Sequence, residues 1–162
     1  MKISISAPAL SSREDGSESK RLNNLKNMED CIFCKIIKGE IPSYKIYEDE
    51  KVYVFLDIHP WSRGHCLVLP KKHTRDILEA DTETLTDVIL TVQKISALVK
   101  EKLGAAGINI LQNNNRIAGQ EVDHIHFHII PRYKDGSLQI SHSTDYVGND
   151  LKEIMKLLTS GE

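Results

Sequence analysis

Residues 82–103 carry the pattern that most narrows the fold. Leu85, Val88, Ile89, Val92, Ile95, Val99 and Leu103 recur at steps of three and four, the period of one apolar helix face. Asp81 stands where an N-cap carboxylate would, and Gly104 where a left-handed C-cap residue would. One long helix therefore divides the chain, and the segments on either side read mostly as strands. YKIYE (44–48) and KVYVFLD (51–57) are β-branched and aromatic runs separated by Asp49 and Glu50, which predicts a hairpin. HCLVLP (65–70) is too apolar to be an edge strand. Beyond the helix, GINILQN (107–113) and VDHIHFHIIPR (122–132) are two further strands. CIFCKIIKG (31–39) reads as a short helical turn closed by Gly39, and YVGNDLKEIMKLL (146–158) ends in a short amphipathic helix. The fold class is α+β: an antiparallel sheet with one long helix and short N- and C-terminal helices.

Composition sets the outer bounds. A chain of 162 residues has room for one compact domain. Residues 1–27 are rich in Ser, Asn and charge and lack apolar periodicity, so they read as a disordered extension. Met28, just ahead of the first dense segment, is a plausible alternative start. The domain proper spans 28–136, and 137–162 form a tail with the short helix. Twenty-one basic against 23 acidic residues exclude a strongly basic nucleic-acid surface, and no long apolar run suggests a membrane span. Three cysteines make no disulfide scaffold and fit a reducing, cytoplasmic setting.

His124, His126 and His128 alternate with Ile125 and Phe127. On a strand this spacing puts three imidazoles on one face and the apolar pair on the other. Two chemistries fit. Three histidines can hold a metal. Alternatively, one imidazole is a nucleophile whose second nitrogen is tied to an acceptor, with its neighbours managing protons. Cys31 and Cys34 form a CxxC pair, redox-active or metal-binding, and no βαβ pattern around it favours the redox reading.

HIHFHIIPR resembles the His-φ-His-φ-His-φ-φ motif of the histidine triad (HIT) superfamily of nucleotide hydrolases and transferases. IFCKIIKGEIPSYKIYED, FLDIHP, GHCLVLPKKH, LQNNN and AGQEV follow in the order and spacing of its Hint branch, so the likeness runs from about Cys31 to Arg132. The resemblance implies that His126 takes the nucleoside monophosphate as nucleophile. His128 and His65 would contact phosphate oxygens, orient the imidazole and help the leaving group depart. Asp57 would accept the ribose hydroxyls, with a turn residue before Pro60 as the plainer alternative. Phe33, Ile36 and Ile58, with Ile32, Phe55 and Leu56, match the apolar wall that holds a purine base, although each could serve the core alone. Asn113 falls where the family has an amide that meets substrate, and Gly119 and Gln120 would offer backbone N–H groups to phosphate. Glu121 stands where the best-known enzymes of the family have Ser or Thr, which opens the question of its leaving group.

The resemblance also implies a structural zinc on Cys31, Cys34, His73 and His124, a homodimer formed through the long helix and a strand, and purine nucleotide substrates. The expected reaction is cleavage of nucleoside phosphoramidates, or of dinucleoside polyphosphates, at the α-phosphorus through a covalent histidine–nucleotide intermediate. A nucleotide-binding regulatory module and a three-histidine metalloenzyme are the alternatives. Cys66 is expected in the core, His59 in a solvated loop, and His142 has no assigned role.

Overall fold

The computed structural model describes residues 29–134 and 149–160; the expected N-terminal extension, Met28, His142 and the start of the tail lie outside the described residues. Helix α1 spans Ile32–Ile37, and strands β1 (Lys45–Glu48), β2 (Val52–Leu56) and β3 (Cys66–Pro70) follow. Helix α2 covers Thr82–Leu103, then come β4 (Gly107–Leu111), β5 (Phe127–Arg132) and helix α3 (Asn149–Thr159). The five strands form one sheet in the order β1-β2-β3-β5-β4, and every neighbouring pair is antiparallel. HCLVLP thus lies at the centre, as its apolar character required.

Period-two alternation gives the sheet two different faces. Val52, Val54 and Leu56 of β2, Cys66 and Val68 of β3, and Phe127 and Ile129 of β5 pack with Val88, Val92, Ile95 and Val99 of α2. Leu151, Ile154 and Leu158 of α3 close the same core at the spacing of an amphipathic helix. Tyr53, Phe55, Leu67 and Leu69 point the other way, where α1 brings Cys31, Phe33, Cys34 and Ile36 against them. That second face is the one the functional side chains share.

Helix α2 keeps the expected bounds. The Asp81 carboxylate accepts from the Thr84 N–H at 2.7 Å, and Gly104 ends the helix at φ 68°. One detail differs from the expected stripe: Ile89 is 49% exposed, while Thr84 and Thr91 are buried. The rotation of 100° per residue carries Ile89 off the face centred on Val88, Val92 and Ile95.

Gly64 fixes the turn that leads into β3. Its φ is +82°, and a Cβ there would come within 2.3 Å of Leu103 Cδ1 at the end of α2. Gly64→Ala should therefore cost about 2 kcal/mol from left-handed backbone strain and overpacking, read as a lower denaturation midpoint at unchanged m. An unchanged midpoint would show that the turn has no need of glycine.

Candidate active site and metal centre

A cleft of about 330 Å³ opens on the α1 side of the sheet. Phe33 and Ile36 come from α1, Phe55 from β2, and Asp57 and Ile58 from the loop after it. Asn113, Gly119 and Glu121 come from the β4–β5 connection, and His126 and His128 complete the lining. Phe33 and Ile36 serve both readings offered by the sequence, since they are buried in the apolar cluster and also face the cleft. Ile58 is 58% exposed and forms a rim.

The histidine segment departs from the expected strand. Ladder pairing begins only at Phe127, so residues 122–126 lie ahead of β5. The backbone there is used otherwise: the His124 N–H bonds the Val122 carbonyl at 2.8 Å, and the Ile125 N–H bonds the Thr74 carbonyl at 2.7 Å. Side chains nonetheless keep their sides. Ile125 and Phe127 enter the α2 core, whereas Phe33 meets both the His124 and His126 rings edge-on at 6.0 and 5.1 Å. The three imidazoles do not converge on one point, which removes a three-histidine metal site; His124 turns to the cysteines and the other two to the cleft.

Hydrogen bonds assign the protons in the cleft. His126 Nδ1 lies 2.7 Å from the His124 carbonyl, which can only accept, so Nδ1 carries the proton and Nε2 keeps its lone pair. Burial holds the His126 imidazole below its ordinary pKa, against that carbonyl and the charges of Asp57 and Glu121. The Trp61 N–H donates to His65 Nδ1 at 3.1 Å, which puts the His65 proton on Nε2. His65 Nε2 then donates to His128 Nδ1 at 2.9 Å, leaving the His128 proton on its own Nε2. The Trp61 indole lies parallel to the His128 ring, at 6.0 Å and 9°. Nothing in the sequence singles out Trp61 beyond its being the sole tryptophan, in a Pro- and Gly-bounded loop. Asp57 Oδ1 accepts the His59 N–H at 2.8 Å, and Oδ2 lies 3.6 Å from His65 Nδ1, beyond hydrogen-bond reach.

The Gly119–Gln120 loop corrects one expectation. The Gly119 N–H already donates to the Arg116 carbonyl at 3.0 Å, and the Gln120 N–H to the Asn115 carbonyl at 3.2 Å. Both donors are closed within a tight turn rather than open to phosphate. The Gln120 side chain is buried and acts from behind: Oε1 accepts from the Asn115 N–H, and Nε2 donates to the carbonyls of Arg75 and Val122. Asn113 Nδ2 donates to the Gly119 carbonyl at 3.3 Å while lining the cleft.

Beside the cleft, Cys31, Cys34, His73 and His124 come together, all four donor atoms within 4.8 Å of one another. His124 Nδ1 lies 3.5 Å from Cys31 Sγ and 3.6 Å from Cys34 Sγ, and His73 Nδ1 lies 3.3 Å from Cys34 Sγ. Tetrahedral zinc with ordinary Zn–S and Zn–N bonds sets neighbouring S and N ligands about 3.5 Å apart, so the donor set fits. His124 Nε2 donates to the Pro70 carbonyl at 2.8 Å, which turns the Nδ1 lone pair toward the thiols. Burial and the neighbouring Cys31 push the Cys34 thiol up to about 12, and burial lowers His124 to about 4. Cys66, the third cysteine, is buried in the core, and His59 is exposed at the cleft edge, as expected.

Residues 38–135 match the family model of the HIT domain. An uncharacterized HIT-like protein of Methanocaldococcus jannaschii is 50% identical over 126 residues, covering 78% of this chain and 96% of that protein. An adenosine 5′-monophosphoramidase of Candida albicans is 42% identical over 131 residues, covering 78% and 86%. Among solved structures, a zinc-bound histidine triad family protein from Mycobacterium smegmatis has a TM-score of 0.73 at 38% identity, covering 82% of this chain and 92% of that one.

Proposed function

This chain belongs to the HIT domain family, and we propose that it hydrolyses nucleoside phosphoramidates at the α-phosphorus through a covalent intermediate on His126. The observation that carries this reading is the bond from His126 Nδ1–H to the His124 carbonyl, because it aims an unprotonated Nε2 from the cleft wall. Relatives named as adenosine 5′-monophosphoramidases support the substrate class.

In the first step His126 Nε2 forms a bond to phosphorus as the bond to the leaving nitrogen breaks. That nitrogen needs a proton to depart as an amine; because a neutral His128 would be left an imidazolate, the donor is its imidazolium, whose Nε2–H passes the proton on and leaves the neutral imidazole beside His65. In the second step water attacks phosphorus, the P–His126 bond breaks, and the water's proton returns to His128. Asp57 takes the ribose hydroxyls, and Phe33, Ile36 and Ile58 hold a purine by apolar contact, which implies weak base discrimination. Asn113 and the Gly119 turn border the phosphate, with Gln120 holding that turn from inside.

Cys31, Cys34, His73 and His124 would hold a structural zinc, whose chemistry there is closed coordination that ties α1 to the histidine segment. A second copy of the chain would cover the outward apolar side chains of α2, where Ile89 and Leu90 are 49% and 59% exposed, and of edge strand β4, where Ile110 is 44% exposed. Light scattering should then give about twice the chain's 18.3 kDa, and a monomer mass would remove the dimer.

The central test is intact-mass analysis after mixing with adenosine 5′-phosphoramidate and quenching at alkaline pH, since phosphoimidazoles are acid-labile. One added AMP, with AMP released on longer incubation, is the expected result. Neither adduct nor product would return the cleft to nucleotide binding alone.

A further inference from the structure

The charge of the cleft is one-sided. Among the described residues its lining includes no Lys or Arg, and its acidic members are Asp57 and Glu121. They come from different segments: Asp57 from the loop after β2, which also brings Ile58, and Glu121 from the β4–β5 connection. With the nucleoside on the Asp57 side and phosphorus at His126 and His128, Glu121 is left to face the departing half of the substrate.

Its position is built rather than incidental. Gln120, next in the chain, is 1% exposed and anchored by three hydrogen bonds. The Arg116 guanidinium donates to the Glu121 carbonyl and reaches the Asp123 carboxylate at 3.4 Å, so the nearby cation is engaged by groups other than the Glu121 side chain. That side chain is exposed and takes part in no ion pair among the described residues. Its negative charge therefore stands in the cleft with no ion-pair partner among the described residues.

Resting on the hydrolase reading above, we propose that the Glu121 carboxylate selects the leaving group, favouring nucleoside monophosphates joined through nitrogen to an amine that carries a positive charge over conjugates whose departing half is anionic. An ammonium on the departing half gains attraction as it approaches the carboxylate, and a departing polyphosphate meets repulsion. The same charge disfavours dinucleoside polyphosphates, the other substrate class the family resemblance allowed.

The test uses three AMP phosphoramidates of matched length, with the departing amine ending in an ammonium, a methyl or a carboxylate group. For the full-length protein, kcat/KM for the ammonium conjugate should exceed that for the carboxylate conjugate by about tenfold or more, about 1.4 kcal/mol of discrimination. Glu121→Gln should bring the ratio near one, Glu121→Lys should invert it, and Glu121→Asp should keep its direction. Turnover with a ratio unchanged by Glu121→Gln would overturn leaving-group selection and leave the hydrolase reading intact. No turnover of any of the three by the wild-type protein would overturn both.

Discussion

His126→Ala is expected to reduce release of AMP from adenosine 5′-phosphoramidate by about 10⁴-fold, because removal of a covalent nucleophile leaves only binding and positioning. Affinity for AMP should stay within about tenfold, since one lost contact among many is worth about 1.4 kcal/mol or less. The Asp57 carboxylate stays in place, and the Phe33–Ile36 wall loses only the edge contact between Phe33 and the His126 ring. Binding and turnover should thus separate. Calorimetry with AMP reports the first and chromatographic detection of product the second, while intact-mass analysis should lose the adduct altogether. The opposite pattern would be as informative: a variant that turns over at the wild-type rate cannot be missing its nucleophile. A regulatory module needs no such group, and for it the substitution would change affinity and nothing else.

What the sequence made legible followed from periodicity. The three-four spacing over 82–103 set the long helix with its Asp81 and Gly104 ends, and the β-branched runs set β1, β2 and β3. Features that depend on tertiary hydrogen bonding were not readable in the same way. Alternation over 122–132 implied a strand throughout, yet the His124 and Ile125 amides go to a local turn and to Thr74, and the ladder waits until Phe127. Gln120 looked like a phosphate contact because glycine precedes it; its side chain finds Arg75, 45 positions away, and goes inward. The Cys/His tetrad joins Cys34 to His73 across 39 positions and to His124 across 90, distances that no local motif encodes. Family resemblance supplied that set, and the geometry then brought its four donors together. The direction of the relay from Trp61 through His65 to His128 depends on a backbone N–H whose aim only the folded loop determines.

Cys31→Ser should have the second large effect, on stability and on metal content together. Cys31 sits at the N-cap of α1 and Cys34 in its first turn, while His73 follows β3 and His124 precedes β5, so one ion would clamp three separate segments. A serine hydroxyl is a poor zinc ligand, and a three-donor site loses most of the affinity that makes metal binding part of folding. Zinc measured by plasma mass spectrometry should fall from about one per chain to well below, and unfolding should come earlier by about 3 kcal/mol, on the order of 10 °C for a domain this size. The damage should also reach the cleft. Helix α1 carries Phe33 and Ile36 into it, and the carbonyl that holds His126 Nδ1–H belongs to His124, a member of the tetrad. KM should therefore rise and kcat fall in the folded variant. Cys66→Ala is the control, because Cys66 lies in the α2 core outside the tetrad and its loss should leave zinc content unchanged. Full zinc content in Cys31→Ser would show that the four residues meet for packing alone.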